Sequence, residues 1–308
     1  GASIRNPAHY CGVYGHKPTY GIVPMRGHSL PHVVAPSDIS VVGPLARSAE
    51  DLALAMTLLA GPDGPAAKAI RYRLPMPRHK DLRDFRVALV LNDPVSDVDR
   101  PMQHELERLA DWLGPRVKRF SLTARPDISS KEVWNLYISL LRSATSRRQT
   151  DAEFKVNREK SAGLSPDDDS YLAMMLRGYT LSHRDWLGFN NRRHAMLQAW
   201  SAFFADYDVL LCPAAASAAF PHDHQGERHE RMILVNGRSV PTVDQLFWAG
   251  YSGCFYLPST VAPVGLADGK LPVGVQIIAG LHEDLTAIRF AALLEREFYA
   301  FVPPPQFP

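Results

Sequence analysis

The chain begins Gly1-Ala2-Ser3-Ile4-Arg5-Asn6-Pro7-Ala8-His9-Tyr10-Cys11-Gly12-Val13-Tyr14-Gly15-His16-Lys17-Pro18-Thr19-Tyr20-Gly21-Ile22-Val23-Pro24. A serine stands behind two small residues, and the run that follows is dense in glycine and proline. Small residues let a backbone pass close to a ligand and adopt angles closed to larger side chains. Amides around such a turn can converge on a developing oxyanion, often the largest single contribution to acyl-transfer catalysis. Ser3 is therefore the first candidate nucleophile. Gly1 in place of methionine predicts that native residues precede it.

Two kinds of base could take the Ser3 proton. His9, His16, His28 and His32 are near in sequence and allow a Ser–His arrangement, although histidines in such a loop are more often packing residues. Lysine is the alternative, which requires burial or nearby positive charge to depress its pKa. Lys17 is the local choice, with flanks that read as a rigid structural turn. The nucleophile-elbow pattern GxSxG is absent, because Ile4-Arg5 follows the serine.

Further along, Ser48-Ala49-Glu50-Asp51 reads as a capping box that opens a helix closed by Gly61-Pro62. Phe85 to Leu91 reads as a buried strand, residues 99–113 as a helix and Val117 to Leu122 as a second strand. That order predicts a βαβ unit with a parallel pair. An amphipathic helix is expected over 131–149 and a long one over 182–205. Tyr207 to Cys212 predicts a strand stopped by Pro213. Ser259 to Val264 and Val273 to Ile278 predict two more, with a turn at Asp268-Gly269, and a final helix covers about Glu283 to Glu297.

At 308 residues, with 46% hydrophobic and 21% charged residues, the chain has an ordinary globular composition. Basic and acidic residues number 34 and 32, for a net charge of +2, which gives no reason to expect nucleic acid or an anionic membrane as partner. The pairs Arg147-Arg148 and Arg192-Arg193 read as solvated. No apolar run approaches the ~20 residues that span a bilayer. Cys11, Cys212 and Cys254 lack metal-ligand spacing and suit a reducing compartment, so a cytoplasmic location is expected. The acidic run Asp167 to Asp169 reads as a helix N-terminus. His222-Asp223-His224 with His229 reads as an exposed loop. Neither reads as a metal site, and no cofactor is expected.

Four elements in order carry a resemblance. Gly1 to Ala8 with Cys11-Gly12, Gly15-His16-Lys17-Pro18-Thr19 and Gly21 resembles the end of the signature of the amidase signature family. Gly43-Pro44-Leu45-Ala46-Arg47-Ser48 with Asp51, Tyr207 to Pro213, and Pro263-Val264-Gly265 with Leu271 to Ile278 resemble its later motifs. The resemblance implies an α/β fold with a mixed β-sheet core flanked by helices, here one domain over 1–308 that is incomplete at its N-terminus.

It also implies amide hydrolysis by a Ser–Ser–Lys triad in which Ser3 attacks and the backbone of Gly1, Ala2 and Ser3 holds the oxyanion. The bridging serine and the lysine belong to upstream motifs with no counterpart in these residues. Little activity is therefore expected of the chain alone. Ala2 stands where the family usually has glycine, and Arg5 is expected to clamp the signature loop. The helix over 131–149 and the segment Thr242 to Leu257 are the implied pocket walls, with Trp134, Tyr137, Leu141, Trp248 and Tyr251 as substrate-binding candidates. The expected partner is a small amide, with a homodimer left open. Two other readings are a non-catalytic scaffold and the ammonia-releasing component of an amidotransferase.

Overall fold

The computed structural model describes residues 1–28 and 33–306. Helix α1 (Arg5–Cys11) leads into strand β1 (Tyr14–Lys17), and after a long loop come β2 (Leu45–Ala46) and α2 (Ala49–Leu59). Strand β3 (Arg86–Leu89), α3 (Arg100–Leu113) and β4 (Arg119–Ser121) follow. Four helices come next: α4 (Ser130–Thr145), α5 (Asp151–Ala162), α6 (Tyr171–Tyr179) and α7 (His183–Asp206). The chain then forms β5 (Val209–Pro213), the hairpin β6 (Met232–Val235) and β7 (Arg238–Pro241), α8 (Phe247–Gly253), β8 (Ser259–Ala267), β9 (Leu271–Ile278) and α9 (Asp284–Glu297).

Seven strands make one mixed sheet in the order β2-β1-β8-β9-β5-β3-β4. Strand β3 runs parallel to β4 and β5, with Arg86 opposite Arg119 and Val87 opposite Val209, so the βαβ unit forms as expected. The central strands are apolar and covered: every residue of β5 is buried, as are all but one of β8. Such near-continuous apolar runs belong to strands with helices on both faces. Strands β8 and β9 form the expected hairpin, turning at Asp268 and Gly269, both with positive φ.

Three regions differ from the sequence reading. The Gly/Pro-rich start is not all loop, since α1 forms on the main-chain bonds Asn6 N–H to Ala2 O (3.0 Å) and Ala8 N–H to Ile4 O (3.1 Å). Gly12 ends it in the left-handed conformation, at φ 66°. Ala8 packs so tightly on β1 that a Cβ on Gly15 would come within 2.7 Å of it. Second, the polar stretch 222–239 contains most of the β6–β7 hairpin, whose alternating burial is diluted by charged neighbours. Third, α5 and α6 follow a capping box at Thr150 and a serine cap at Ser170. At Ser48 only the serine half of the expected box forms, accepting from Asp51 N–H at 3.0 Å.

Of the two basic pairs, only Arg193 departs from the solvated reading. Arg193 is fully buried, stacked 4.3 Å from the Tyr256 ring centre and bonded to Asn190 and to the Asp38 carbonyl. Its planar guanidinium supplies the stacking that a solvated reading overlooks. No helix among the described residues is long and apolar enough to cross a membrane.

Candidate active site

Ser3 lies in the turn that precedes α1 and is exposed, while Ala2 behind it is buried. Among the described residues the Ser3 hydroxyl has no hydrogen-bond partner, and the amides of Ala2 and Ser3 donate to no protein acceptor. Both donors are left free for an oxyanion. Ser3 forms part of the wall of a cleft of about 520 Å³.

Arg5 fixes this turn. Its side chain is 1% exposed and donates to the Ala249 carbonyl (2.5 Å), the Ser252 hydroxyl (2.5 Å), Gln276 Oε1 (3.0 Å) and the Gly1 carbonyl (3.1 Å). One guanidinium thus ties the turn before α1 to α8 and β9. Desolvation lowers the Arg5 pKa to about 10, well above neutrality, so it stays charged. The backbone must approach closely here: a Cβ on Gly253 would sit 3.2 Å from the Arg5 guanidinium, and one on Gly250 would sit 2.7 Å from the Tyr137 ring.

Two of the candidate histidines are committed elsewhere. His9 is fully buried, with Nδ1 accepting from the Gly274 amide at 2.8 Å and Nε2 donating to the Ser217 carbonyl at 3.0 Å. Burial outweighs that second bond and pushes its pKa down to about 4, so the ring is a neutral structural link. His16 is equally buried, between the Thr260 hydroxyl (2.9 Å) and Asp284 Oδ1 (3.1 Å). Asp284 also accepts from the amide and hydroxyl of Thr19. Burial favours its neutral form, but the bonds from His16 and Thr19 prevail and keep the carboxyl below its usual range. These two histidines have no free nitrogen for Ser3. His28 is exposed and lines the cleft, whereas His32 lies outside the described residues.

Lys17 is buried in the cleft wall, its ammonium donating to the Pro18 carbonyl at 2.8 Å. Desolvation, then repulsion from Arg5, outweighs Asp284 and pulls its pKa well below the usual lysine value.

The other walls come from three places. Tyr137, Leu141 and Thr145 project from one face of α4 at helical spacing, with Arg142 beside them and Arg148 in the following turn. Thr242, Gln245, Leu246 and Gly253 come from the segment leading into and through α8, and Phe220 and Arg228 from the loop after β5. Arg5, Lys17, Arg142 and Arg228 thus gather around the turn that holds Ser3.

Of the five expected substrate-binding residues, Tyr137 and Leu141 line the cleft with Ser3. Trp134, Trp248 and Tyr251 do not. Trp134 packs between Tyr171 and Phe247 at ring separations of 6.2 and 6.1 Å. Trp248 is fully buried against Phe247. The Tyr251 hydroxyl reaches Ser130 at 3.2 Å and is not part of the cleft lining. Large aromatic rings on amphipathic helices serve the core first, and sequence spacing cannot separate the two uses. The sequence reading missed Arg142, Arg148 and Arg228 as cleft residues. Arg148 is exposed, as a solvated pair implies, but it stands on the cleft rim.

An unpaired serine hydroxyl beside free amides is chemically able to attack a carbonyl whose oxygen those amides could hold. The amidase family model matches residues 1–286, and the chain is a member of that family. An indoleacetamide hydrolase of Bradyrhizobium diazoefficiens is 30% identical over 307 residues, covering 96% of this chain and 53% of the relative. The A component of the glutamyl-tRNA(Gln) amidotransferase of Deinococcus deserti is 30% identical over 320 residues, covering 96% of this chain and 62% of the relative. The fold matches that of a bacterial aryl acylamidase of the amidase signature enzymes, with TM-score 0.69, 24% identity and coverage of 96% and 60%. The chain spans between half and two-thirds of the length of these relatives.

Proposed function

We propose that this chain carries the nucleophile, oxyanion turn and substrate cleft of an amide hydrolase, with Ser3 as the attacking group. In this reading the Ser3 Oγ bonds to the amide carbonyl carbon, and the oxyanion is held by the amides at Ala2 and Ser3. The C–N bond then breaks with proton transfer to the departing amine, and water cleaves the acyl-serine to the acid. The observation that carries it is the unpartnered Ser3 hydroxyl on the cleft wall beside two amides with no protein acceptor. Arg5 is a positioning residue that holds Gly1 through its carbonyl.

Among the described residues no histidine, lysine or carboxylate hydrogen-bonds to Ser3, and in this reading the bridging serine and lysine that the family uses are not supplied by them. The expected activity of the chain is therefore residual, from oxyanion binding and positioning alone. The substrate is a small amide, and the indoleacetamide hydrolase relative makes indoleacetamide the first to try.

The test is ammonia release by the 308-residue chain and its Ser3→Ala variant. A slow release that disappears in Ser3→Ala supports the proposal. Release unaffected by Ser3→Ala overturns it, and turnover at ordinary enzyme rates would place the base within the chain. A second reading, release of ammonia within an amidotransferase, rests on the 30% match to the Deinococcus relative. Recovery of a stable complex with a tRNA-binding protein would favour it.

A further inference from the structure

The cleft at Ser3 is lined by Arg5, Lys17, His28, Arg142, Arg148 and Arg228, and by no aspartate or glutamate. The chain as a whole carries only +2, so this concentration is not a property of composition. Arg5 donates through its terminal nitrogens and Lys17 through its ammonium to protein acceptors, with the Arg5 Nε left unpartnered. Arg142, Arg148 and Arg228 are not paired: among the described residues none lies within 4 Å of a carboxylate. The one polar contact of the Arg142 guanidinium is with the Tyr171 hydroxyl, and its buried Nε has no partner. Beside it the Tyr137 hydroxyl, on a side chain 1% exposed in the same wall, is also buried and unpartnered. Arginines at the end of α4 would suit the helix dipole without any ligand. That explanation does not reach Arg228, which comes from a separate loop, nor the orphaned Tyr137 hydroxyl.

We infer that the cleft selects amides carrying a carboxylate at the end remote from the scissile bond, held by Arg142, Arg148 and Arg228. Unbalanced charge in a concave site concentrates anions, and guanidinium forks match carboxylate oxygens in pairs. Leu141 lines the cleft on α4 between Tyr137, which adjoins Gly253 and Arg5, and Arg142, so an apolar spacer such as a benzene ring suits the two polar ends. This inference rests on the Ser3 cleft being the amide site, and binding is read apart from turnover so that the two can fail separately.

The probes are 4-carbamoylbenzoate and its neutral isostere 4-nitrobenzamide, titrated calorimetrically into the full chain. The expected result is at least tenfold tighter binding of the carboxylate at low salt, a preference that shrinks as sodium chloride is added. The double variant Arg148→Gln/Arg228→Gln changes two exposed side chains and should keep the wild-type circular dichroism while bringing the two affinities together. Ser3→Ala should leave the preference intact. Equal affinities, no binding of either probe, or a preference that survives in a folded double variant would each overturn the inference. A carboxylate preference in a chain whose hydrolysis ignores Ser3→Ala would instead strike the nucleophile assignment alone.

Discussion

Two groups of cations lie at different places in this molecule and are treated in opposite ways. At the base of β5 the Asp208 carboxylate, whose side chain is 1% exposed, takes Arg86 at 2.7 Å, Arg78 at 3.0 Å and His79 at 3.2 Å. It also accepts the Arg86 amide at 2.7 Å, and Arg78 goes on to Glu283 at 2.6 Å. Burial there works to protonate Asp208, but the bonds from Arg86 and Arg78 prevail and hold its pKa below the usual range. Around Ser3 the terminal nitrogens of the buried Arg5 donate to carbonyls, a hydroxyl and a side-chain amide while its Nε is unpartnered, and Arg142, Arg148 and Arg228 line the cleft with no carboxylate partner among the described residues. Compensated charge holds elements together, and charge left open is available to a ligand.

Removing a compensated cation should therefore do the most damage. Arg5→Met strands the Ala249 and Gly1 carbonyls and the Gln276 side chain, and is expected to lower stability by about 4 kcal/mol in a denaturant titration. A loss below about 1 kcal/mol would show that Arg5 is not the clamp. Asp208→Asn leaves Arg86 without its carboxylate and Arg78 with Glu283 alone. Because Arg78 and Arg86 are partly exposed, the expected loss is nearer about 3 kcal/mol.

His9 gives a pH-dependent version of the same test. Its folded pKa of about 4 lies below the ordinary 6.5, so the unfolded chain binds a proton in that interval and the folded chain does not. Its contribution is whole above pH 6.5 and falls as the pH drops towards 4, by at most about 3 kcal/mol. In nuclear magnetic resonance its ring should remain neutral down to about pH 4, and a titration midpoint near 6.5 would contradict the two bonds assigned to it. Arg228→Gln, at the uncompensated group, should shift stability by less than about 0.5 kcal/mol.

Five of the sheet's seven strands were legible, best in runs such as Val209 to Cys212, apolar enough that only a covered strand fits, whereas β1 and β2 were hidden in the Gly/Pro-rich start. The β8–β9 hairpin was legible for the same reason, with Asp268-Gly269 marking the turn. Helix α1 was not, since Pro7 and the flanking glycines speak for a loop and only tertiary contact with β8 and β9 holds seven residues helical. Ser3 was legible from its small neighbours and motif. The aromatic candidates were less so, because Trp248 and Tyr137 stand on equally apolar stretches and only the packing of α8 decides which of them meets the cleft. The arginines escaped notice for a different reason: a pair such as Arg147-Arg148 looks solvated until the loop carrying Arg228 is brought opposite it.

The most direct test of the central claim is acylation of the chain by an activated ester, whose leaving group departs without a proton, so that the one proton to be moved is that of the exposed Ser3 hydroxyl, which can pass to a buffer base. After incubation with 4-nitrophenyl benzoate and an acid quench, peptide mass mapping should find the benzoyl group on Ser3, and none there in Ser3→Ala. Acylation confined to Lys17, Cys11 or scattered surface lysines, with Ser3 unmodified, would contradict the assignment of Ser3 as nucleophile.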